Sequence, residues 1–558
     1  MPTRSTTRLI LLGACAALCV PSVVGATPSS LLSSQKISDT AGNFLEPLGN
    51  VDEFGGAVVG LGDLDGSGPS VVALAVGAIG DDDGGTNRGA VYVLFLNAAG
   101  NVLSHQKISD TVGGFTEPLA NDDEFGSAVA FLGDLDGAGP SAAALAVSAS
   151  FDDDGGADRG AVYILFLNAN GTVLSNQKIS DTAGNFLEPL GDGDEFGSSI
   201  ADMGDLDGAG AGVTALAVGT AADDDGGSDR GAVYVLFLTS TGNVLSYQKI
   251  SDTAGNFLEP LSSFDAFGCA VAHLGDLDGA GLSAGALAVG ATGDDDGGAD
   301  RGAIYILFLS DSGSVISYQK VSDTAGNFAE PLGNLDEFGG ALVGLDDADR
   351  YGPAASALAV GVTGDDDGGS GRGAAYVLYL TSAGEVLSYQ KISATTGNLA
   401  GPLDDGDEFG SALGALGDLD GTGPSTQTLV VGAVGDDDGG SARGAVWVLG
   451  LDGITTSDTQ APPLTRHVLG AAKPNPFNPR TVIPFAIATD ARVQIDILDV
   501  AGRHVRSLVH AAFAAGAHQA VWDGLDDRSR ALASGTYLVR MSVNGQPLAT
   551  TARVVLLK

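Results

Sequence analysis

The chain has 558 residues, is hydrophobic at 44% of positions, and carries 70 Asp and Glu against 26 Lys and Arg, a formal net charge of −44. That apolar share excludes a chain too polar to bury a core. The charge excludes nucleic acid and anionic lipid as partners, and favours cations, basic surfaces or plain solubility. The acidity is local: residues 31–451 hold 13 basic and 62 acidic side chains, a balance of −49, whereas residues 473–558 hold 10 and 6.

Arg4 and Arg8 precede an apolar run from Leu9, and Val24 and Ala26 suit positions −3 and −1 of a cleavage site. Residues 1–26 are therefore expected to be a secretory signal peptide, too short and wrongly flanked for a membrane span. LGAC at Cys15 is similar to a lipoprotein box, but too few apolar residues separate it from Arg8. Cys15 and Cys19 leave with the signal, so Cys269 remains alone and no intramolecular disulfide can form. Other copies of its repeat hold Gly or Ser there, which points to a small core residue.

Tetrads of the QKIS type begin at Gln35, Gln106, Gln177, Gln248, Gln319 and Gln390, a constant step of 71 residues. Such a period means an array of one supersecondary unit. Each unit reads as four strands, in the second copy GSAVAFL, ALAVSA, GAVYILFLN and TVLSNQKIS. The first three are almost continuously apolar, as strands covered on both faces are. The fourth is mixed and carries Lys178, which reads as an edge strand whose lysine discourages further pairing. FG pairs at Phe54, Phe125, Phe196, Phe267, Phe338 and Phe409 start six units, but the sixth fourth-strand copy stands before the first, in LLSSQKIS from Leu31. The expected fold is all-β: a six-bladed β-propeller of 71-residue repeats over 31–451, closed by the N-terminal strand.

FG followed by GDLDG, a GA-type strand end and GAVYVL resembles the FG-GAP repeats of integrin α-chain propellers, in six copies. The resemblance implies Ca²⁺ in the loop between first and second strands and partner binding on the opposite, top face. The family pattern is similar to DxDxDGxxD, and only its first two acids are present: Asp63 and Asp65, Asp134 and Asp136, Asp205 and Asp207, Asp276 and Asp278, Asp418 and Asp420. The third position holds Ser67, Ala138, Ala209, Ala280 or Thr422, and in the fifth copy Arg350 follows Asp347 and Asp349. Ligand charge count tunes calcium affinity, so these loops are depleted sites or turns closed by Asp and Gly.

A second acidic feature, DDDGG, recurs at 81–83, 152–154, 223–225, 294–296, 365–367 and 436–438, in the hairpin between second and third strands. Strand alternation puts it on the same end as the connections from fourth to next first strand, so this top face is a ring of carboxylates. One arginine follows each triplet, at Arg88, Arg159, Arg230, Arg301, Arg372 and Arg443. A forked guanidinium suits a bridge to the triplet, with a further cation site as the alternative.

Residues 452–472 are polar and proline-bearing, a linker. In 473–558, alternating apolar residues separated by glycine turns predict a small Ig-like β-sandwich. Its PNPFNP run from Pro474, the DVAGR turn from Asp499, Trp522–Asp523–Gly524 and Ser534–Gly535–Thr536–Tyr537 resemble type IX secretion sorting domains and the Ig-like domain of the flagellar hook-capping protein. The first resemblance implies outer-membrane export machinery as a partner and a secreted or cell-surface location.

Catalysis requires unlike groups converging on one reactive position, whereas near-identical units repeat the same side chains. The copy-specific departures are few: His105, His273, Cys269, Arg350, Tyr351 and Trp447. No catalytic residue is expected. The leading reading is a non-catalytic binding or adhesion protein that meets an extracellular protein or glycan through its acidic top face, with or without calcium. The competitors are a structural surface scaffold without a specific ligand and a glycan-active enzyme.

Overall fold

Apolar runs such as AVYVLFLN are buried almost from end to end, so each third strand has to be covered on both sides. The computed structural model describes residues 31–452, apart from 67, 69–70, 136–142, 208–212, 279–284, 346–354 and 420–425. Further on it describes 468–469, 481–487, 491–499, 503–513, 516–522, 524–528, 530, 532–544 and 546–556. Every regular element in these residues is a strand. The expected signal peptide and most of the expected linker lie outside them.

Residues 31–452 build six four-stranded antiparallel sheets. The first contains Phe54–Gly62, Val71–Ala78, Ala90–Asn97 and Val102–Ile108, paired in chain order. The next four repeat it, although their opening strands shorten to Val271–His273 in the fourth sheet and Ala341–Leu345 in the fifth. The sixth takes three strands from its own repeat, ending at Ala445–Asp452, and its fourth from the far end of the chain. Leu31–Ile37 pairs antiparallel along that strand, from Leu31↔Leu451 to Ile37↔Val446. The opening strands of successive sheets touch one another, and the opening strand of the sixth touches that of the first.

Glycine sets how close the sheets come. The FG glycines sit at φ near +100°, with a register shift behind them, and each turns its carbonyl toward a glycine in the second strand of the preceding sheet. A Cβ at Gly77 would lie 2.1 Å from the Gly126 carbonyl oxygen, and one at Gly432, in the sixth sheet, 2.1 Å from that of Gly55, in the first. The second sheet holds Ser148 there instead, whose hydroxyl accepts the Ala128 N–H at 2.7 Å. The apolar faces between neighbouring sheets form continuous buried clusters, one of which joins Ile37, Val446 and Val448 to Phe54, Leu74 and Tyr92.

The C-terminal region forms two further sheets. Val468–Leu469, Thr481–Ile487 and Gly516–Trp522 make one; His504–Phe513, Ala491–Asp499, Gly535–Val543 and Gln546–Leu556 make the other. Val468–Leu469 lies inside the expected linker yet pairs with Phe485 and Ala486. Strict alternation along Gly535–Val543 turns Tyr537, Val539, Met541 and Val543 inward, onto a core with Ile483, Val493, Ile495 and Trp522.

Removing residues 27–38 strips the last sheet of its outer strand and leaves an open edge. The expected result is loss of a cooperative melt and concentration-dependent association by light scattering. A monomer that melts as the full chain does would contradict the pairing of the two ends.

Candidate functional site: the acidic face

Local chain geometry decides where each acid of the DDDGG triplet points. In the first sheet Asp81 Oδ1 accepts the Asp83 N–H at 3.0 Å and Asp82 Oδ1 accepts the Asn87 N–H at 3.0 Å, an Asx-type turn that Gly84 continues at φ +80°. The first acid is thereby turned inward and the second outward. Asp81 is 3% exposed, and Asp82 and its five counterparts are exposed.

The buried acid meets a lysine. Lys107 Nζ lies 2.6 Å from Asp81 Oδ2 and 2.8 Å from Asp83 Oδ2, while the Tyr92 hydroxyl donates to Asp81 Oδ2 at 3.3 Å. The ammonium also stands 5.5 Å from the Tyr92 ring centroid, within cation–π range. The lysine's pairing with the first and third acids recurs in all six sheets, through Lys178, Lys249, Lys320 and Lys391 in the next four. In the sixth, Lys36 of the N-terminal strand reaches Asp436 and Asp438, over the ring of Trp447. Burial works against the charge of Lys178, but its hydrogen bonds to Asp154 and Asp152 outweigh it and raise its pKa.

Two expectations change here. The arginines do not bridge the triplets: Arg88 Nη1 donates to Asp110 at 2.6 Å and its Nε to Asn121 at 3.2 Å, tying the hairpin to the connection that leads into the next sheet. The lysine of the fourth strand is no mere guard of an edge. Pairing register places Lys107 opposite Tyr92, next to the inward acid, whereas the arginine stands on the far limb of the hairpin. The position next to the triplet that suits a cation is held by an ammonium of the chain itself.

The connections add buried acids of their own. In the DEFG segments and their one DAFG variant, Asp52, Asp123, Asp194, Asp265, Asp336 and Asp407 are buried, and each accepts one backbone N–H from three residues earlier, at 2.7–2.8 Å. Burial pushes Asp123, Asp265 and Asp407 up to about 6, against the pull of that hydrogen bond. Glu124 rises to about 7 through burial and then repulsion from Glu53 and Glu195. Aromatic rings lie beneath: Phe44 stacks on Phe54 at 5.0 Å and meets Tyr92 edge-on at 5.5 Å, a trio repeated in the next four sheets. Above each trio a glutamate of the connection bonds the fourth strand, as Glu188 does with the Tyr247 hydroxyl at 2.9 Å and Glu46 with His105 at 3.3 Å. Sequence reasoning missed these pairs; their signal is the constant 59-residue spacing.

The expected calcium ligands lie at the other end of the sheets. Asp63 Oδ2 accepts the Gly68 N–H at 3.1 Å, a loop closed on itself. Asp65, Asp134, Asp205, Asp207, Asp276, Asp278 and Asp418 also lie in described loops, each with partners. Asp136 and Asp420 fall outside the described residues, as do Asp347, Asp349, Arg350 and Tyr351. Calcium takes six to eight oxygens, and two carboxylates per loop are a thin donor set. Among the described residues no group of three or more His, Cys, Asp or Glu is gathered to hold an ion.

Residues 481–546 match the FlgD Ig-like domain. Among curated proteins, no relative matches the chain in sequence. Of solved structures, the chain is similar to PorZ, a surface component of the type IX secretion system of Porphyromonas gingivalis, at 13% identity and a TM-score of 0.33, over 88% of this chain and 58% of that one. It is similar to FlgD from P. aeruginosa at 20% identity and a TM-score of 0.14, over 16% and 74%, and to a glycoside hydrolase family 43 arabinoxylan arabinofuranohydrolase from Bacillus subtilis at 9% identity and 0.29, over 93% and 98%. At these scores none of the likenesses bears on function.

Lys178→Met strands Asp152 and Asp154 and is expected to cost about 3 kcal/mol in urea unfolding. Adding Asp152→Asn should recover part of it, because the unpaired buried charge is the larger cost. The buried acids of the connections set a pH trend. The folded chain holds protons that the unfolded chain releases near pH 4, so their contribution is full below that and is lost as pH rises through 6–7. Melting temperature should therefore climb as pH falls from 8 to 5, and Asp123→Asn should flatten the climb.

Proposed function

We propose that the chain is a non-catalytic protein of the cell surface or the secretory route, in which six FG-GAP-like sheets close into a propeller and the C-terminal Ig-like domain serves export and attachment. The observation that carries this reading is the self-sufficiency of the acidic face. A lysine is spent six times over on the same pair of carboxylates, a contact that stabilises a scaffold and, among the described residues, gathers no unlike groups for chemistry. The match of residues 481–546 to the FlgD Ig-like domain supports an extracellular or envelope role for that end of the chain. Adhesion to a basic surface is the second reading, favoured by the exposed middle acid of every triplet.

Fusing residues 468–558, which include the Val468–Leu469 strand, to a reporter with its own signal peptide tests the export reading in a bacterium that has type IX secretion. Surface-exposed or released reporter is the expected outcome, and periplasmic retention would sink it. For calcium, millimolar Ca²⁺ is expected to leave the melting temperature of the EDTA-treated chain within about 1 °C, since stabilisation follows ligand concentration over Kd. A larger, saturable rise would return the DLDG loops to a cation-binding role.

A further inference from the structure

Each connection into a sheet holds one residue in the left-handed region, two before the FG-preceding acid, and its side chain differs from copy to copy. The place is taken by Val51, Asp122, Gly193, Phe264, Leu335 and Gly406, at φ between 67° and 85°. Glycine and aspartate suit such a φ, whereas a β-branched or bulky apolar residue adopts it only against steric strain. Neighbouring sheets impose it. The Phe264 N–H donates to the Ser228 carbonyl at 2.9 Å and that of Leu335 to Ala299 at 3.0 Å. Their own carbonyls lie against Gly293 and Gly364, where a Cβ would come within 1.9 and 1.8 Å.

Packing does not offset the strain. Phe264 is 64% exposed, Leu335 59% and Val51 50%, and Gly193 and Gly406 show that the same turn forms with no side chain at all. An outlier that the fold does not use points to a contact outside the fold.

Two of the three are neighbours. Phe264 lies between the hairpins of the third and fourth sheets and Leu335 between those of the fourth and fifth, so both flank the fourth hairpin, whose middle acid Asp295 is exposed. Asp224 and Asp366, the exposed middle acids of the adjoining hairpins, extend the negative charge to either side. The arginines of these hairpins are tied elsewhere, to Asp252, Asp323 and Asp405.

Apolar side chains on both sides of a carboxylate select among occupants. A metal ion would leave the phenyl ring and the leucine in water. A lipid surface would draw Asp295 out of water along with them, which is costly for a charge. An anionic partner would meet the balance of −49 over 31–451. An arginine suits all three groups, because its stem covers apolar surface, its guanidinium stacks on an aromatic face and its fork fits a carboxylate.

We propose that Phe264, Asp295 and Leu335 form a docking surface for an arginine-bearing segment of a partner protein. The proposal rests on the second reading above, adhesion to a basic surface, and gives it a place on the face and an apolar component.

The test uses the full chain without residues 1–26 and the fluorescence anisotropy of two labelled peptides of equal charge. One repeats arginine, leucine and serine; the other repeats arginine, glycine and serine. The first is expected to bind saturably and at least about tenfold more tightly than the second. Phe264→Gly combined with Leu335→Gly installs the residue that the connections into the third and sixth sheets carry. It should erase that preference and leave the melt unchanged, since relief of left-handed strain offsets the freedom that glycine adds to the unfolded chain. Asp295→Asn keeps an acceptor for the Asp300 N–H of the turn and should weaken the leucine peptide as well. Val51→Gly, in a connection that does not touch the fourth hairpin, should keep the preference. A preference that survives the double substitution, or an equal loss in Val51→Gly, would overturn the proposal. Equal affinity for the two peptides would also overturn it while leaving adhesion by charge alone in place, and binding of neither peptide would remove both readings.

Discussion

An ammonium held between two carboxylates over an aromatic ring is the contact on which the rest of this molecule depends. Burying the first acid of each triplet is costly unless a cation comes with it, and that cation is carried by the outermost strand of the same sheet. The hairpin between second and third strands therefore depends on the fourth strand for the neutralisation of its buried acid. In the last sheet the fourth strand belongs to the other end of the chain, so Asp436 and Asp438 are satisfied only when the N-terminus returns. The electrostatic demand of one hairpin thus becomes a demand on the topology of the whole stretch from Lys36 to Asp438.

Between sheets the binding forces are of a different kind. The FG glycine, at a φ that other residues adopt only with strain, brings a carbonyl to within contact of the preceding sheet's second strand, where a side chain is tolerated only in the Ser148 arrangement. Arg88 and its counterparts then tie each hairpin to the connection that enters the next sheet. Each unit consequently contributes half of two interfaces, the nearest-neighbour condition of repeat proteins, but with the first and last units joined. Such an array has no terminal unit that needs a polar cap.

Much of this was legible in the sequence. The 71-residue step, the four strands and the placement of LLSSQKIS in the last sheet all follow from periodicity and apolar runs, because those signals are local. The partner of the triplet was not legible for a physical reason. Arg88 is close to Asp83 along the chain, but it sits on the other limb of the hairpin; Lys107, much farther along, is brought alongside by pairing register. The buried acids of the connections were hidden likewise, since a buried aspartate with one backbone donor has the same letter as a solvated one. Trp447 stood out as a departure, but the room for its indole depends on Gly401 and the fourth-strand position beside it is Ser34, which the chain places at its opposite end.

Symmetry and specificity pull against each other in such a chain. Six equal copies give six equal contacts, and a contact made six times for stability has little freedom left to recognise anything. The seam escapes this limit, because its outer strand is not a continuation of its own repeat and can change without disturbing the five intact copies. Its strand pairing and its lysine are retained, which keeps the two ends joined, while Ser34, Gly401, Leu399 and Trp447 have departed from the repeat. The places that elsewhere hold a phenylalanine, a glutamate and a fourth-strand side chain such as Tyr247 are here held by Leu399, Gly401 and Ser34 around a buried indole. The pairing that joins the two ends of the repeat array and the departures that break its symmetry share one strand, which also carries Lys36.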